Sequence, residues 1–199
     1  MKVIQQFLKN PLRNFNYIVT SEHSDKAIFF DPFDFQVMLE LCNKEGKVPG
    51  YLLITHNHPD HIRNKKEFIE YGAGEHLVLN DGEELQLSET ETIKAVSTPG
   101  HVMDHICYYL YEGGKLTGII TGDTIFNAGI GNCKLGGDPH VYFQTFKTHF
   151  IDLADDIKIY PSHDYLLANL KFSLMIEPEN QDVEDFITKR EKMQLDDEF

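Results

Sequence analysis

An α+β fold, two sheets packed face to face with helices outside, is predicted by three observations. The strand-like runs fall into two groups, one in each half of the chain, and helical patterns follow each group. Those runs are rich in β-branched and aromatic residues and are bounded by Gly, Pro, Asn and Asp. The chain has 199 residues, 41% hydrophobic and 25% charged, which suits one globular core rather than a disordered segment.

In order, Val3–Leu8, Phe15–Thr20 and Lys26–Asp31 read as strands, the third broken by Asp31-Pro32. Phe35, Val37–Leu39 and Leu41 then form an apolar stripe at helical spacing that stops at Gly46. Tyr51–Ile54 is a strand, followed by a His-rich turn over 55–61, a helix over 62–71 and a strand over His76–Leu79. Asn80-Asp81-Gly82 is a turn, and Glu91–Ser97 a further strand. His105–Tyr111 and Leu116–Thr121 flank the hairpin turn Glu112–Lys115. A Gly-rich loop over 127–137, a helix over 140–152 and a strand over Ile157–Tyr160 come next. Two helices broken at Pro178 complete the chain.

Charge narrows the partners. With 18 Lys+Arg against 32 Asp+Glu the formal net charge is −14. That argues against duplex nucleic acid, which needs clustered Lys and Arg. Residues 177–199 hold nine of the acids against three bases. The start MKVIQQFLKNP has no apolar signal region, and the longest apolar run, Ile106–Tyr111, is far short of a membrane span, so a cytoplasmic location is expected. Cys42, Cys107 and Cys133 are odd in number and widely spaced, which indicates neither a disulfide framework nor a redox pair. Nothing in the pattern specifies an oligomeric state.

Histidine is the outlier. Thr55-His56-Asn57-His58-Pro59-Asp60-His61 follows directly on an apolar strand. In extended chain, positions i and i+2 point the same way, so His56 and His58 converge on one metal. Asp60 and His61, where the chain turns into a helix, address a second. Chance supplies H-x-H-x-D-H in a chain of this composition about two times in a thousand. His101, Asp123 and His163 each stand just beyond the C-terminal end of an apolar strand, where a layered fold gathers a site. Imidazole with carboxylate suits two divalent ions, Zn or a mixture of Zn, Fe and Mn.

The segments THNHPDH at 55–61, TPGH at 98–101, HICYYL at 105–110, GDTIF at 122–126 and SHDYLLANLKFSLMIEPEN at 162–180 resemble the metallo-β-lactamase-fold hydrolases, and among them glyoxalase II, the hydroxyacylglutathione hydrolases. The resemblance implies a four-layer αββα sandwich with a short C-terminal helical extension. It divides the chain into a metallo-β-lactamase-like domain, 1–163, and a helical segment, 164–199, packed on it. Carried over, His56, His58 and His101 hold one metal, Asp60, His61 and His163 the other, and Asp123 bridges them. It implies hydrolysis of a glutathione thioester such as S-lactoylglutathione by a water shared between two ions, with no side-chain nucleophile. Asp60 and Asp123 are then the catalytic carboxylates.

The expected glutathione contacts depart from the family. In the loop 129–136, Asn132 stands at the family's basic position and Lys134 at its aromatic one. Tyr165 follows the last metal histidine as in the family, and Lys189 and Lys192 replace its terminal Arg-x-x-Lys. Ile62-Arg63-Asn64 stands where the family has Gly-Gly. Two other activities belong to similar scaffolds: a glutathione persulfide dioxygenase with one Fe(II), which IYPSHDY at 159–165 also resembles, and a lactonase or other small-ester hydrolase. A non-catalytic metal-binding protein is a third class, which the filled set of seven ligand positions disfavours.

Overall fold

Each half of the chain builds one five-stranded sheet. The computed structural model describes residues 1–72 and 74–192. The first sheet contains β1 (Lys2–Phe7), β2 (Phe15–Thr20), β3 (Lys26–Phe30), β4 (Val48–Leu53) and β5 (Glu75–His76), side by side in that order. β1, β2 and β3 pair antiparallel, whereas β3, β4 and β5 are parallel. Parallel neighbours need crossovers, supplied by α1 (Phe35–Lys44) and α2 (Lys65–Tyr71). The second sheet has β6 (Glu84–Gln86), β7 (Glu91–Ser97), β8 (Ile106–Glu112) and β9 (Lys115–Gly122) as an antiparallel meander. A small hairpin of β10 (Ile125–Phe126) and β11 (Gly129–Ile130) leads to α3 (Pro139–His149). β12 (Lys158–Pro161) then returns parallel to β9. Helices α4 (Leu166–Ile176) and α5 (Gln181–Lys192) follow.

Period-two alternation sorts the side chains into layers. Tyr17, Val19, Ile28, Phe30 and Leu53 of the first sheet meet Ile93, Ala95, Tyr108, Leu110 and Ile120 of the second in the central core. The residues between them, Ile18, Phe29 and Leu52, turn outward onto Phe35, Met38 and Cys42 of α1 and Phe68 of α2. On the far side, Cys107, Tyr109 and Ile119 are covered by Phe146 and Phe150 of the α3 region. Helix, sheet, sheet and helix thus form four layers. Two of these helices, α1 and α3, start on sequence-encoded caps. The Asp34 carboxylate accepts from the N–H of Val37 at 3.1 Å, and that of Asp138 accepts from the N–H of His140 at 2.8 Å ahead of Pro139.

The departures from expectation are local. The strand predicted at His76–Leu79 is the two-residue β5, because the chain leaves the sheet edge once Leu77 has bonded Leu52. β6 and the β10–β11 hairpin were hidden, two or three residues being too few to show a period. α2 begins at Lys65 rather than 62, since Asn64 is held by Pro32 and Phe35. β4 starts three residues early, at Val48, and α3 ends at His149. Residues 193–199 of the predicted C-terminal segment lie outside the described residues.

β7, β9 and β12 end on the same edge of the second sheet, because β7 and β9 each run antiparallel to β8 and β12 runs parallel to β9, and the Ile106 N–H, donating to the Thr55 carbonyl at 2.9 Å, joins the end of β4 to that edge. The loops beyond those ends carry the residues of the candidate site.

Candidate metal centre

Each predicted ligand is delivered by a loop that leaves a strand end. Beyond β4 come His56, His58, Asp60 and His61; beyond β7, His101; beyond β9, Asp123; beyond β12, His163. They form two groups. Donor atoms of His56, His58, His101 and Asp123 lie within 4.8 Å of one another, and so do those of Asp60, His61 and His163.

In the first group His58 presents Nδ1, 2.9 Å from His56 Nε2 and 3.1 Å from His101 Nε2. In the second, Asp60 Oδ2 lies 3.4 Å from the Nε2 atoms of both His61 and His163. Asp123 touches both groups. Its Oδ2 is 3.4 Å from His101 Nε2, and its Oδ1 is 3.3 Å from His61 Nε2 and from His163 Nε2.

Outer contacts fix which nitrogen faces inward. His61 Nδ1 donates to Asp31 Oδ2 at 2.9 Å, His163 Nδ1 to the Leu12 carbonyl at 2.8 Å, and His101 Nδ1 to the Asn132 carbonyl at 2.5 Å. All three therefore turn Nε2 to the centre, the arrangement that second contacts impose on metal-binding imidazoles. Asp31 also accepts from the backbone N–H and hydroxyl of Thr55, at 2.7 and 2.6 Å.

Sequence reasoning missed Asp31 and His105. Fully buried His105 accepts the backbone N–H of Asp123 on Nε2 at 3.2 Å and donates Nδ1–H to Thr98 and Thr124, at 3.0 and 3.1 Å. The signal for Asp31 is its place at the end of a buried strand level with Thr55. For His105 there is none short of the fold.

The donor set fits divalent cations. Buried His61 Nε2 and Asp123 Oδ1 have no hydrogen-bond partner among the described residues, though 3.3 Å apart. Buried polar atoms are penalised unless something satisfies them, and a cation between these two does so. The charges behave accordingly. Burial alone depresses the His61 imidazole, but Asp31 and Asp123 outweigh it and hold it well above its usual value. His163, despite burial, is raised to about 9 by Asp123 and Asp60. Burial favours protonating Asp60 and Asp123, yet facing imidazoles hold both below the ordinary carboxylate range. His56, buried and beside His61 and His105, is lowered to about 2. His105 falls to about 3, chiefly through burial.

Of the expected substrate contacts, Tyr165 and Asn132 touch residues of this centre. The Tyr165 ring stacks on His163 with centroids 5.0 Å apart, and burial followed by Asp123 and Asp60 pushes its phenol up to about 12, so it stays a donor. A cavity of about 580 Å³ beside Tyr165 is lined by Arg13, Lys171 and Arg190, and one of about 400 Å³ opens beside His56 and Asn57. Asn132 braces His101 through its backbone, and its side chain accepts from the N–H of exposed Lys134. Lys189 and Lys192 are exposed on α5, Lys189 over the Phe186 ring, while Arg190 between them turns inward. Burial raises the Cys133 thiol, which is not the mark of an activated nucleophile. No helix among the described residues is long and apolar enough to cross a membrane.

No family profile matches the chain. It is 32% identical over 195 residues, 91% of its length and 73% of the relative's, to a hydroxyacylglutathione hydrolase of Nitrosococcus oceani. Among solved structures it superposes on ETHE1 from Myxococcus xanthus with a TM-score of 0.69 and 23% identity, covering 83% of this chain and 76% of that one. A metallo-beta-lactamase from Staphylococcus aureus gives 0.72 and 22%, covering 83% and 56%.

Proposed function

The chain belongs to the hydroxyacylglutathione hydrolases and has their metallo-β-lactamase fold, and from that premise we propose a dinuclear metal-dependent thioester hydrolase that cleaves S-acylglutathione, S-lactoylglutathione above all, to hydroxy acid and glutathione. The observation that carries this reading is Asp123, whose two oxygens address the two donor groups separately. His56, His58 and His101 would hold one divalent ion, Asp60, His61 and His163 the other, with Asp123 shared. Bound there, two ions supply a water that loses its proton near neutral pH and Lewis acidity for a thioester carbonyl.

The chain's own part is placement and charge. Asp31, Leu12 and Asn132 hold the Nε2 lone pairs of His61, His163 and His101 inward, so the donors need no reorientation during reaction. Asp60 and Asp123, ionised at neutral pH, offset cationic charge. Tyr165, kept as a neutral phenol beside His163, can donate to a substrate oxygen. Asn132 and Lys134 on the loop, with Lys189 and Lys192 on α5, are the proposed contacts for the anionic ends of glutathione. A cytoplasmic location is in keeping with a substrate built on glutathione.

Metal analysis of the loaded protein tests the dinuclear reading. Two divalent ions per chain support it. One iron per chain, with oxygen uptake on glutathione persulfide, replaces it with the dioxygenase reading. Two ions with activity on lactones alone replaces it with a lactonase.

A further inference from the structure

We propose that Arg190, Asp164 and Arg13 form a relay through which α5 fixes the second donor group, Arg13 and Arg190 acting as positioning residues for His163 and Asp60. The proposal rests on the two-metal reading above. It starts at α5, where the guanidinium of Arg190, 7% exposed, donates through Nη2 to Asp164 Oδ2 at 3.0 Å. Asp164, itself 5% exposed, is the residue after His163.

The same carboxylate oxygen is paired with Arg13 Nη2, whose Nε donates to the Asp164 carbonyl at 2.9 Å. The Asp164 N–H in turn donates to the Arg13 carbonyl at 3.0 Å. Arg13 is thus tied to Asp164 by side chain and backbone together. Its own backbone is left-handed, with φ of 57°, a conformation that residues with a Cβ seldom adopt.

That conformation aims its two neighbours at the site. Leu12 gives its carbonyl to His163 Nδ1 at 2.8 Å, and Asn14 donates Nδ2–H to Asp60 Oδ2 at 3.0 Å. Two of the three donors of the second group are therefore oriented by residues on either side of Arg13. His56, His58 and His101 have no such tie to the 10–14 turn among the hydrogen bonds described. A buried ion pair is a poor way to gain stability alone, since apolar packing of the same volume does as well. Its directionality is what a positioning role uses.

Zinc titration of the metal-stripped full-length protein against a chromophoric chelator tests the relay in two backgrounds. His58→Ala leaves the second donor group intact, and His163→Ala leaves the first. Arg190→Met should weaken zinc binding by about 10-fold in the His58→Ala background and by less than about twofold in the His163→Ala background. Arg190→Lys, which keeps a cation against Asp164, should restore most of the loss. In the metal-free protein, Arg190→Met should also move the imidazole ¹⁵N resonances of His163 and spare those of His58. Equal weakening in both backgrounds, or none in either, overturns the proposal. Should Arg190→Met not fold, Arg13→Met carries the same comparison, its side chain being 36% exposed. If the folded protein before any substitution binds no zinc, the metallohydrolase reading falls, an outcome distinct from failure of the relay alone.

Discussion

Asp31 decides what His61 can do. Its carboxylate takes the Nδ1–H of His61 together with two bonds from Thr55, so the His61 proton sits on the outer nitrogen and the inner one is left for a cation. Asp31 has a left-handed φ of 43°, which Asn tolerates, so Asp31→Asn tests the charge without disturbing the backbone. An amide can donate to Nδ1 and invert the tautomer. The expected result is a loss of about 10–100-fold in affinity for one zinc, read by chelator competition, with the other unchanged. Protons compete for the same group. His163 is raised to about 9, so at neutral pH it must release a proton to accept a cation, and zinc affinity should climb from pH 7 to 9. The candidate donors were legible in the sequence, four of them because they fall within six residues and three because they stand at strand ends. Asp31 and His105 were not, since an outer carboxylate and a buried imidazole have no local spacing to mark them.

Helix α5 and the loop before α3 show where legibility stops among the elements. Lys189 and Lys192 were visible as a pair at i and i+3, but only the fold shows that Arg190, not either lysine, is the inward cation. Replacing both lysines by Ala should raise KM for S-lactoylglutathione while leaving kcat nearly unchanged, the pattern of lost uniform binding. Steady-state kinetics checks it, and an unchanged KM removes them as substrate contacts. The Gly-rich loop was read for its expected substrate contacts Asn132 and Lys134, whereas Gly131, not singled out, is pressed against the centre. A Cβ there would lie 2.2 Å from the Asp123 carbonyl and 2.8 Å from His101 Nδ1. Gly131→Ala must therefore shift one or both, and since displacement by about 1 Å costs about 10²-fold, kcat/KM should fall by that order. Far-ultraviolet circular dichroism should meanwhile stay native. β6 and the β10–β11 hairpin escaped sequence reading for a different reason. Each is an edge piece too short to alternate.

Over the whole molecule, the layered architecture was the most legible feature, because two groups of buried strands, each followed by helical patterns, leave clear signals. The centre buries histidines of opposite character, and this sets the pH response of the metal-free protein. His56 and His105, depressed to about 2 and about 3, contribute stability present above the unfolded value of about 6.5 and lost as pH falls through the folded values. His163, raised to about 9, contributes stability fully present below about 6.5 and lost as pH rises through 9. In the presence of chelator, the denaturant midpoint should peak near pH 6.5. A midpoint rising steadily from pH 5 to 9 would contradict this balance.

The substrate claim is the one the whole structure serves, and it has a direct measurement: thiol release from S-lactoylglutathione by the protein carrying two ions, beside release from a thioester of the same acyl group lacking glutathione. The predicted result is kcat/KM higher for the glutathione thioester by about 10²-fold, the scale of discrimination a recognition pocket provides. Equal rates on the two, or no thiol release by the fully loaded protein, would contradict it.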